Sequence, residues 1–320
     1  MKYTYVIPCY NSEQTIKIVI KEIDDTMQKE NVDINDYEII LVNDYSKDNT
    51  GSVINDLSNT HNNITAIQFA KNFGQDSALL AGYHYAKGDI VITLDDDGQT
   101  PANEVMTLVN KINEGYDVVF GKYAHKHHSK FRNFGSKVND FMACKLIGKP
   151  KDLYLCSYFA AKKFVIDEII QYDNPYPYIR GLLLRTTSNM CNVPINHRDR
   201  LQGESTYTLK KLLSLWFNGF TAFSIKPLRV SIFIGLMAAI LSFILIIYAI
   251  IQKITDPNIS VGWTSLISVI SFFSGMILMV LGLIGEYIGR IYISLNKSPQ
   301  YVIKKINNKE VLSNGYSQKN

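Results

Sequence analysis

Three consecutive carboxylates, Asp95, Asp96 and Asp97, follow the apolar run Ile90-Val91-Ile92-Thr93-Leu94. A short run rich in β-branched residues reads as a buried parallel strand. Ligands of open α/β sheets sit just beyond the carboxyl ends of such strands. Three adjacent carboxylates repel one another unless a cation or hydrogen-bond donors compensate them. A hard divalent ion, Mg²⁺ or Mn²⁺, takes oxygen ligands and shares them with substrate phosphates. The plain alternative is a solvated acidic loop, and for an isolated triplet the two readings balance. His125, His127 and His128 form a second candidate cluster. No partner group at metal-binding spacing accompanies them, so a solvated or substrate-facing loop is the stronger reading.

The elements that must hold these residues alternate strand and helix. Strands are expected at 3–8, 37–42, 64–69, 88–94 and 117–121. Helices are expected at about 13–28 with Ser12 as N-cap, 50–59, 75–86, 101–114 opened by Pro101, and 131–147. Strand–helix alternation of this kind makes a doubly wound, mostly parallel sheet. The first strand runs into Pro8-Cys9-Tyr10-Asn11 and lacks the G-x-G-x-x-G of a dinucleotide-binding turn.

The carboxyl-terminal part is different. Val230–Ile251 and Ile259–Gly285 carry no charge, and 22 helical residues span roughly 33 Å, enough for a bilayer core. Asp256-Pro257 in the linker makes the two spans a hairpin. Lys210, Lys211, Lys226 and Arg229 precede it and Arg290, Lys297, Lys304 and Lys305 follow, whereas the linker holds only Lys253. The positive-inside rule then places both termini and the amino-terminal domain in the cytoplasm, with no signal peptide. The expected organisation is 1–206 catalytic, 207–229 interfacial and amphipathic, 230–290 a hairpin with spans at about 230–251 and 262–286, and 291–320 a cytoplasmic tail. In that tail 299–304 is a candidate strand and the last dozen residues are expected to be disordered. Cys9, Cys144, Cys156 and Cys191 lack metal spacing and read as free thiols. The net charge of +4, clustered near the spans, suits anionic headgroups better than nucleic acid. Glu286 and Arg290, four apart, read as a local pair. Gly275, Gly282, Gly285 and Gly289 permit close helix packing and a homo-oligomer.

Several motifs then fall in a fixed order: Ile7-Pro8-Cys9-Tyr10-Asn11, Val42-Asn43-Asp44-Tyr45-Ser46-x-Asp48, Asn72-Phe73-Gly74-Gln75 with Ala78–Gly82, and Asp95-Asp96-Asp97-Gly98-Gln99-Thr100-Pro101. Arg200-x-x-Gly203-x-Ser205-x-Tyr207, Lys226-Pro227-Leu228-Arg229 and Gly285-Glu286-Tyr287-x-Gly289-Arg290-x-Tyr292 complete the series. With the membrane hairpin, this order resembles the family-two glycosyltransferases, in the polyprenyl-phosphate branch that contains dolichyl-phosphate mannose synthase and undecaprenyl-phosphate glucosyltransferases.

The resemblance implies a glycosyltransferase A domain that moves one sugar, with inversion, from a UDP- or GDP-sugar to a polyprenyl phosphate at the cytoplasmic membrane face, supplying lipid-linked sugar for cell-envelope glycans. It implies Mg²⁺ or Mn²⁺ held by Asp97 with Asp95, as Lewis acid for the departing diphosphate. Asp95 also contacts the ribose end of the donor, and Asp96 is a surface-facing spectator that tolerates replacement. Gln99 lies near the metal or acceptor, and Asp44 reads the nucleobase. Pro8, Tyr10 and Glu13 line the base and ribose pocket, though for Glu13 a helix-cap role weighs as much. Ser205 belongs to the donor side. The family usually has two acids followed by glycine where this chain has Asn43-Asp44-Tyr45. An acceptor phosphate is already anionic and needs positioning by cations more than a base. Lys122, Arg132 and Arg200 are those expected cations, with Arg198 a surface residue. A processive polysaccharide synthase is the weaker enzyme alternative, because Trp216 and Trp263 lack the Q-x-x-R-W context. A non-catalytic membrane scaffold would have no need of clustered charge at Asp95, Asp97 and Arg200.

Overall fold

The computed structural model describes residues 1–123, 144, 148–175, 177–196, 198, 262–296, 298–307, 309 and 310, with scattered positions between 235 and 255. Two compact units divide the chain: Met1–Leu213 with Lys297–Asn320, and Ser214–Asn296. The expected helix at 131–147, the histidine loop, the interfacial helix at 207–229, most of the first span and the last ten residues lie outside the described residues.

The first unit is built on one nine-stranded sheet. Its strands are β1 (Tyr3–Cys9), β2 (Tyr37–Asn43), β3 (Ile64–Phe69), β4 (Ile90–Thr93), β5 (Val118–Tyr123), β6 (Phe159–Lys162), β7 (Met190–Ile195), β8 (Ile303–Ile306) and β9 (Lys309–Glu310). The order across the sheet is β7-β5-β6-β4-β1-β2-β3-β8-β9. β4, β1, β2 and β3 run parallel, and β5 is parallel to β7. β6 lies antiparallel between β4 and β5, so β4 and β5 still point the same way. The carboxyl ends of β1 to β5 and β7 therefore share one edge of the sheet, together with the amino ends of β6 and β8. This topology decides which side chains can meet.

Helices cover both faces. α1 (Ile16–Lys29) buries Ile16, Val19, Ile20, Ile23 and Met27, the i, i+3, i+4, i+7 stripe of an amphipathic helix. It begins at Ile16, after a turn in which the Ser12 carbonyl accepts from the N–H of both Thr15 and Ile16, so Ser12 is not its side-chain cap. α2 is Thr50–Thr60 and α3 is Gln75–Tyr85. α3 is buried nearly all round because it lies against β1 and β2; a Cβ at Gly82 would come 2.4 Å from Val6. Pro101 precedes a short 3₁₀ turn, and α4 (Val105–Asn113) starts only after it. α5 is Lys163–Ile169 and α6 is Ile179–Thr186. The tail strand expected at 299–304 overlaps the observed strand only at its last two residues: β8 starts at Ile303, runs to Ile306 and pairs antiparallel to β3.

In the second unit, α7 (Trp263–Leu295) extends beyond the expected 262–286. Its stretch Phe272–Ile293 is the one helix among the described residues long and apolar enough to cross a membrane. Phe272, Ile277, Leu278, Leu281 and Ile288 are all exposed on it, as a lipid-facing helix requires.

Candidate active site

Leu94, one residue beyond β4, ends the buried run, and the three aspartates follow it at the shared edge. Gly98 closes the turn with φ +74°, a backbone that favours glycine. The Gln99 N–H donates to Asp97 Oδ1 at 3.0 Å, and the Gln99 amide reaches the Arg198 carbonyl at 3.4 Å.

The middle aspartate is not the spectator expected of it. Asp96 Oδ2 accepts the Tyr10 N–H at 2.9 Å, and its carbonyl accepts the Thr15 hydroxyl at 2.7 Å. It ties the loop after β4 to the loop after β1. Burial, with the charges of Asp95 and Asp97 adding, pushes its carboxyl up to about 7. The loops after β1 and β2 are tied in turn. Asn11 N–H donates to Ser46 Oγ at 3.0 Å, Lys47 N–H to Asn11 Oδ1 at 2.9 Å, and Ser12 N–H to Thr50 Oγ1 at 2.8 Å. Glu13 Oε2 accepts the Asn49 N–H at 2.9 Å while its own N–H reaches Asp48 Oδ2 at 3.2 Å. Of the two readings of Glu13, this is the cap: it holds the start of α2.

Asp44, at the tip of β2, is 4% exposed. Its Oδ1 and Oδ2 accept the N–H groups of Phe73 and Gly74 at 2.7 and 2.8 Å. Burial raises this carboxyl above the usual range, and the two amides oppose the rise. Asp44 thus clasps the loop that opens α3, leaving one lone pair on each oxygen for a further donor. Asp95 is similarly engaged: Gln75 Nε2 donates to Oδ1 at 2.9 Å and Ser157 Oγ to Oδ2 at 2.6 Å. Burial raises the Asp95 carboxyl and Asp97 adds to it, while Ser157, Arg180 and Gln75 oppose.

Arg180 on α6 is the cation that sequence reading missed. It lines a small cavity with Gln75, Asp76, Cys156 and Ser157, and its guanidinium lies 5.5 Å from the Tyr178 ring centre. Its charge opposes the burial-driven rise of both Asp76 and Asp95. Ser157 escaped notice too, since neither residue sits in a local motif; the signal was the topology that brings the start of β6 to this edge.

The other expected residues divide. Tyr10 is exposed at the edge, whereas Pro8 is buried within β1 opposite Val42. Lys122 is exposed near the end of β5, paired in register with Pro194. The Arg198 guanidinium is anchored by Glu22 at 2.8 Å and Asn103 at 2.9 Å. Arg132, Arg200 and Ser205 lie outside the described residues. Among the described residues no three His, Cys, Asp or Glu side chains gather into a ready metal cage.

The fold is a mostly parallel, mixed α/β sheet with an acidic triplet beyond β4 and interlocked loops beyond β1 and β2, the architecture of an α/β enzyme with its site at the carboxyl edge of the sheet. The profile of glycosyl transferase family 2 matches residues 4–170, and that of the GtrB C-terminal hairpin matches 226–291. The chain belongs to glycosyl transferase family 2 and is a glycosyltransferase. It is 33% identical to the undecaprenyl-phosphate 4-deoxy-4-formamido-L-arabinose transferase of Proteus mirabilis, over 95% of this chain and 94% of that protein. It is 32% identical, at the same coverage, to the uncharacterized glycosyltransferase YkcC of Bacillus subtilis. The fold is that of Mycobacterium tuberculosis glucosyl-3-phosphoglycerate synthase, solved with Mn²⁺ and UDP-glucose, at TM-score 0.51 and 19% identity over 69% of this chain and 77% of that one.

Proposed function

We propose that this chain transfers a single sugar from a UDP- or GDP-sugar to a polyprenyl phosphate, with inversion, at the cytoplasmic face of a membrane. The observation that carries this reading is the half-compensated triplet. Burial disfavours ionisation of Asp95 and Asp96, and a divalent cation bound at Asp97 and Asp95 would relieve both. Two carboxylates with substrate phosphates suffice for Mg²⁺ or Mn²⁺, so the lack of a larger cage fits. The bound ion supplies charge stabilisation for the departing nucleoside diphosphate.

The protein's own groups do the positioning. Tyr10 and the free lone pairs of Asp44 meet the nucleoside, with Ser205 on the donor side. Gln75, Ser157 and Arg180 hold Asp95 in place. Lys122, Arg132 and Arg200 draw the acceptor phosphate toward the anomeric carbon, and Gln99 flanks it. That phosphate oxygen attacks as an anion, so no side chain has to remove a proton. The lipid acceptor is supported by the name of the Proteus relative, which the alignment covers almost end to end. The matched hairpin profile and the composition of 230–290 support two spans with both termini in the cytoplasm. The cytoplasmic domain at 1–206, the interfacial segment at 207–229 and the tail at 291–320 complete this organisation.

The test is transfer by the purified full-length protein from a panel of UDP- and GDP-sugars to undecaprenyl phosphate with Mn²⁺ or Mg²⁺, scored as lipid-linked sugar. One donor should give product, and Asp97→Ala should reduce the rate by about 10²-fold or more. No product with any donor, together with an Asp97→Ala variant that matches wild type, sinks the proposal.

A further inference from the structure

Asp95 is held from two sides, and both supports border the cavity that Arg180 lines. Gln75 Nε2 donates to its Oδ1 and Ser157 Oγ to its Oδ2, and Gln75, Asp76, Ser157 and Arg180 all belong to the cavity wall. The cavity measures about 10 Å³, room for one water at most. No dissolved counter-ion fits among these groups, so on this side of Asp95 the compensating charge is Arg180.

That cation is placed unusually. It is partly buried, and the carboxylates whose charge reaches it are Asp76 and Asp95. Neither is close enough to pair with it. Among the described residues Arg180 has no salt bridge and its guanidinium donates no hydrogen bond; it lies 5.5 Å from the Tyr178 ring centre. A guanidinium carries five N–H donors in a fixed fork that matches phosphate oxygens. Holding such a fork uncommitted and partly out of water costs free energy. The same charge has two opposite effects at this edge. It repels a divalent ion that arrives alone at Asp95, over a distance at which the protein screens less than water does. It attracts an anion that arrives there.

We propose that Arg180 makes metal binding at Asp95 and Asp97 wait for the donor: its charge weakens the site for a bare divalent ion, and the diphosphate of a nucleotide sugar restores it by engaging the guanidinium. The inference rests on the reading that a nucleotide sugar and a divalent ion share this edge. By linkage, metal and nucleotide then raise each other's affinity by one factor. The empty protein holds metal weakly, in keeping with a site that has only two carboxylates to offer it.

Titration calorimetry on the full-length protein tests this with Mn²⁺ alone, with UDP or GDP in EDTA, and with Mn²⁺ and nucleotide together. In Arg180→Gln, Mn²⁺ alone should bind about 3- to 30-fold more tightly than in wild type. The nucleotide that wild type binds should bind about 5-fold or more weakly without metal, and the factor by which it improves Mn²⁺ affinity should shrink. Arg180→Lys keeps the charge and should match wild type with Mn²⁺ alone. A merely structural role for Arg180 moves both affinities down together. Mn²⁺ affinity that is unchanged or weaker in Arg180→Gln therefore overturns the proposal while leaving the donor reading intact. Wild-type protein that binds neither UDP nor GDP, with or without Mn²⁺, removes the donor reading itself, and this inference with it.

Discussion

Asp96 is the residue at which burial, charge and hydrogen bonding compete most openly. Besides Asp95 and Asp97 on its own loop, it faces the Tyr10 N–H, and its charge, like that of Asp48, bears on the buried Cys9 thiol. Its folded pKa of about 7 lies above the ordinary aspartate value of 3.8, so the folded state prefers the protonated form. The stability this supplies is complete below about pH 4 and is lost as pH rises toward 7. Asp96→Asn keeps an oxygen for the Tyr10 N–H and removes the charge. In metal-free protein it should raise the thermal midpoint at pH 8, worth at most about 4 kcal/mol, and leave pH 4.5 nearly unchanged. Asp96→Ala leaves Tyr10 without its acceptor and should destabilise by about 1–3 kcal/mol at pH 4.5, whereas at pH 8 removal of the buried charge offsets that loss. Equal pH profiles for wild type and Asp96→Asn would show that the carboxyl is not held protonated. The triplet's position was legible, since an apolar β-branched run ending in acids marks a strand tip. The division of labour within it was not: the partner that occupies Asp96 is 86 positions away, and Ser157 and Arg180 reach Asp95 only through tertiary folding. Lys122 was legible as an edge residue, because a cation next to a strand's end needs only that strand to be placed.

At the scale of elements, β1 to β5 announce themselves as apolar, β-branched runs, and the hydrophobic stripe of α1 fixes its buried face. β6 and β7 do not. Phe159-Ala160-Ala161-Lys162 is short and poor in β-branched residues, and Pro194 interrupts Met190–Ile195, so neither carries a strand pattern that survives without its neighbours. Their places come from pairing, β6 by inserting antiparallel and β7 by adding at the edge. The tail strand β8 has a larger role than its length suggests, because it covers the edge of β3 that would otherwise be open to pairing. Tyr301 stacks on Phe69 at 5.5 Å, and Phe69 meets Phe73 edge-on at 5.7 Å. Phe73 is one of the two residues that Asp44 holds, so the tail supports the loop that opens α3. Asn307 accepts the Ala66 N–H at 2.8 Å and has φ +45°. Asn307→Gly loses only the acceptor and should cost about 1 kcal/mol; Asn307→Ala adds left-handed strain and should cost about 1–2 kcal/mol more. Hydrogen exchange should quicken at the amides of Ala66 and Ala70 in both variants. Unaltered exchange there would mean that β8 does not secure β3.

At the scale of the whole molecule, a polyprenyl acceptor would tie catalysis to one membrane leaflet, and the distribution of charge along the chain is what the proposed cytoplasmic face rests on. Lys210, Lys211, Lys226 and Arg229 precede the two proposed spans and Arg290, Lys297, Lys304 and Lys305 follow them, against one basic residue, Lys253, between. The cytoplasmic side retains such clusters because of the K/R bias in short loops. α7 supplies the apolar length for one crossing, and a second crossing is required if both the sheet's tail strand and the amino-terminal domain lie on the same side. They do lie together, since β8 pairs with β3 in one sheet. A single crossing by α7 would separate β8 from β3 by a bilayer, a separation that the proposed hairpin avoids. In the proposed hairpin the linker between the spans faces the opposite side. In a variant with Cys144 and Cys191 replaced by Ser, Asn258→Cys should react with a membrane-impermeant maleimide in intact cells. A cysteine at Lys47, whose N–H is tied to Asn11 in the catalytic unit, should react only in inverted vesicles. Labelling of both positions from the same side would rule out the hairpin and, with it, the placement of the aspartate triplet opposite a cytoplasmic lipid phosphate.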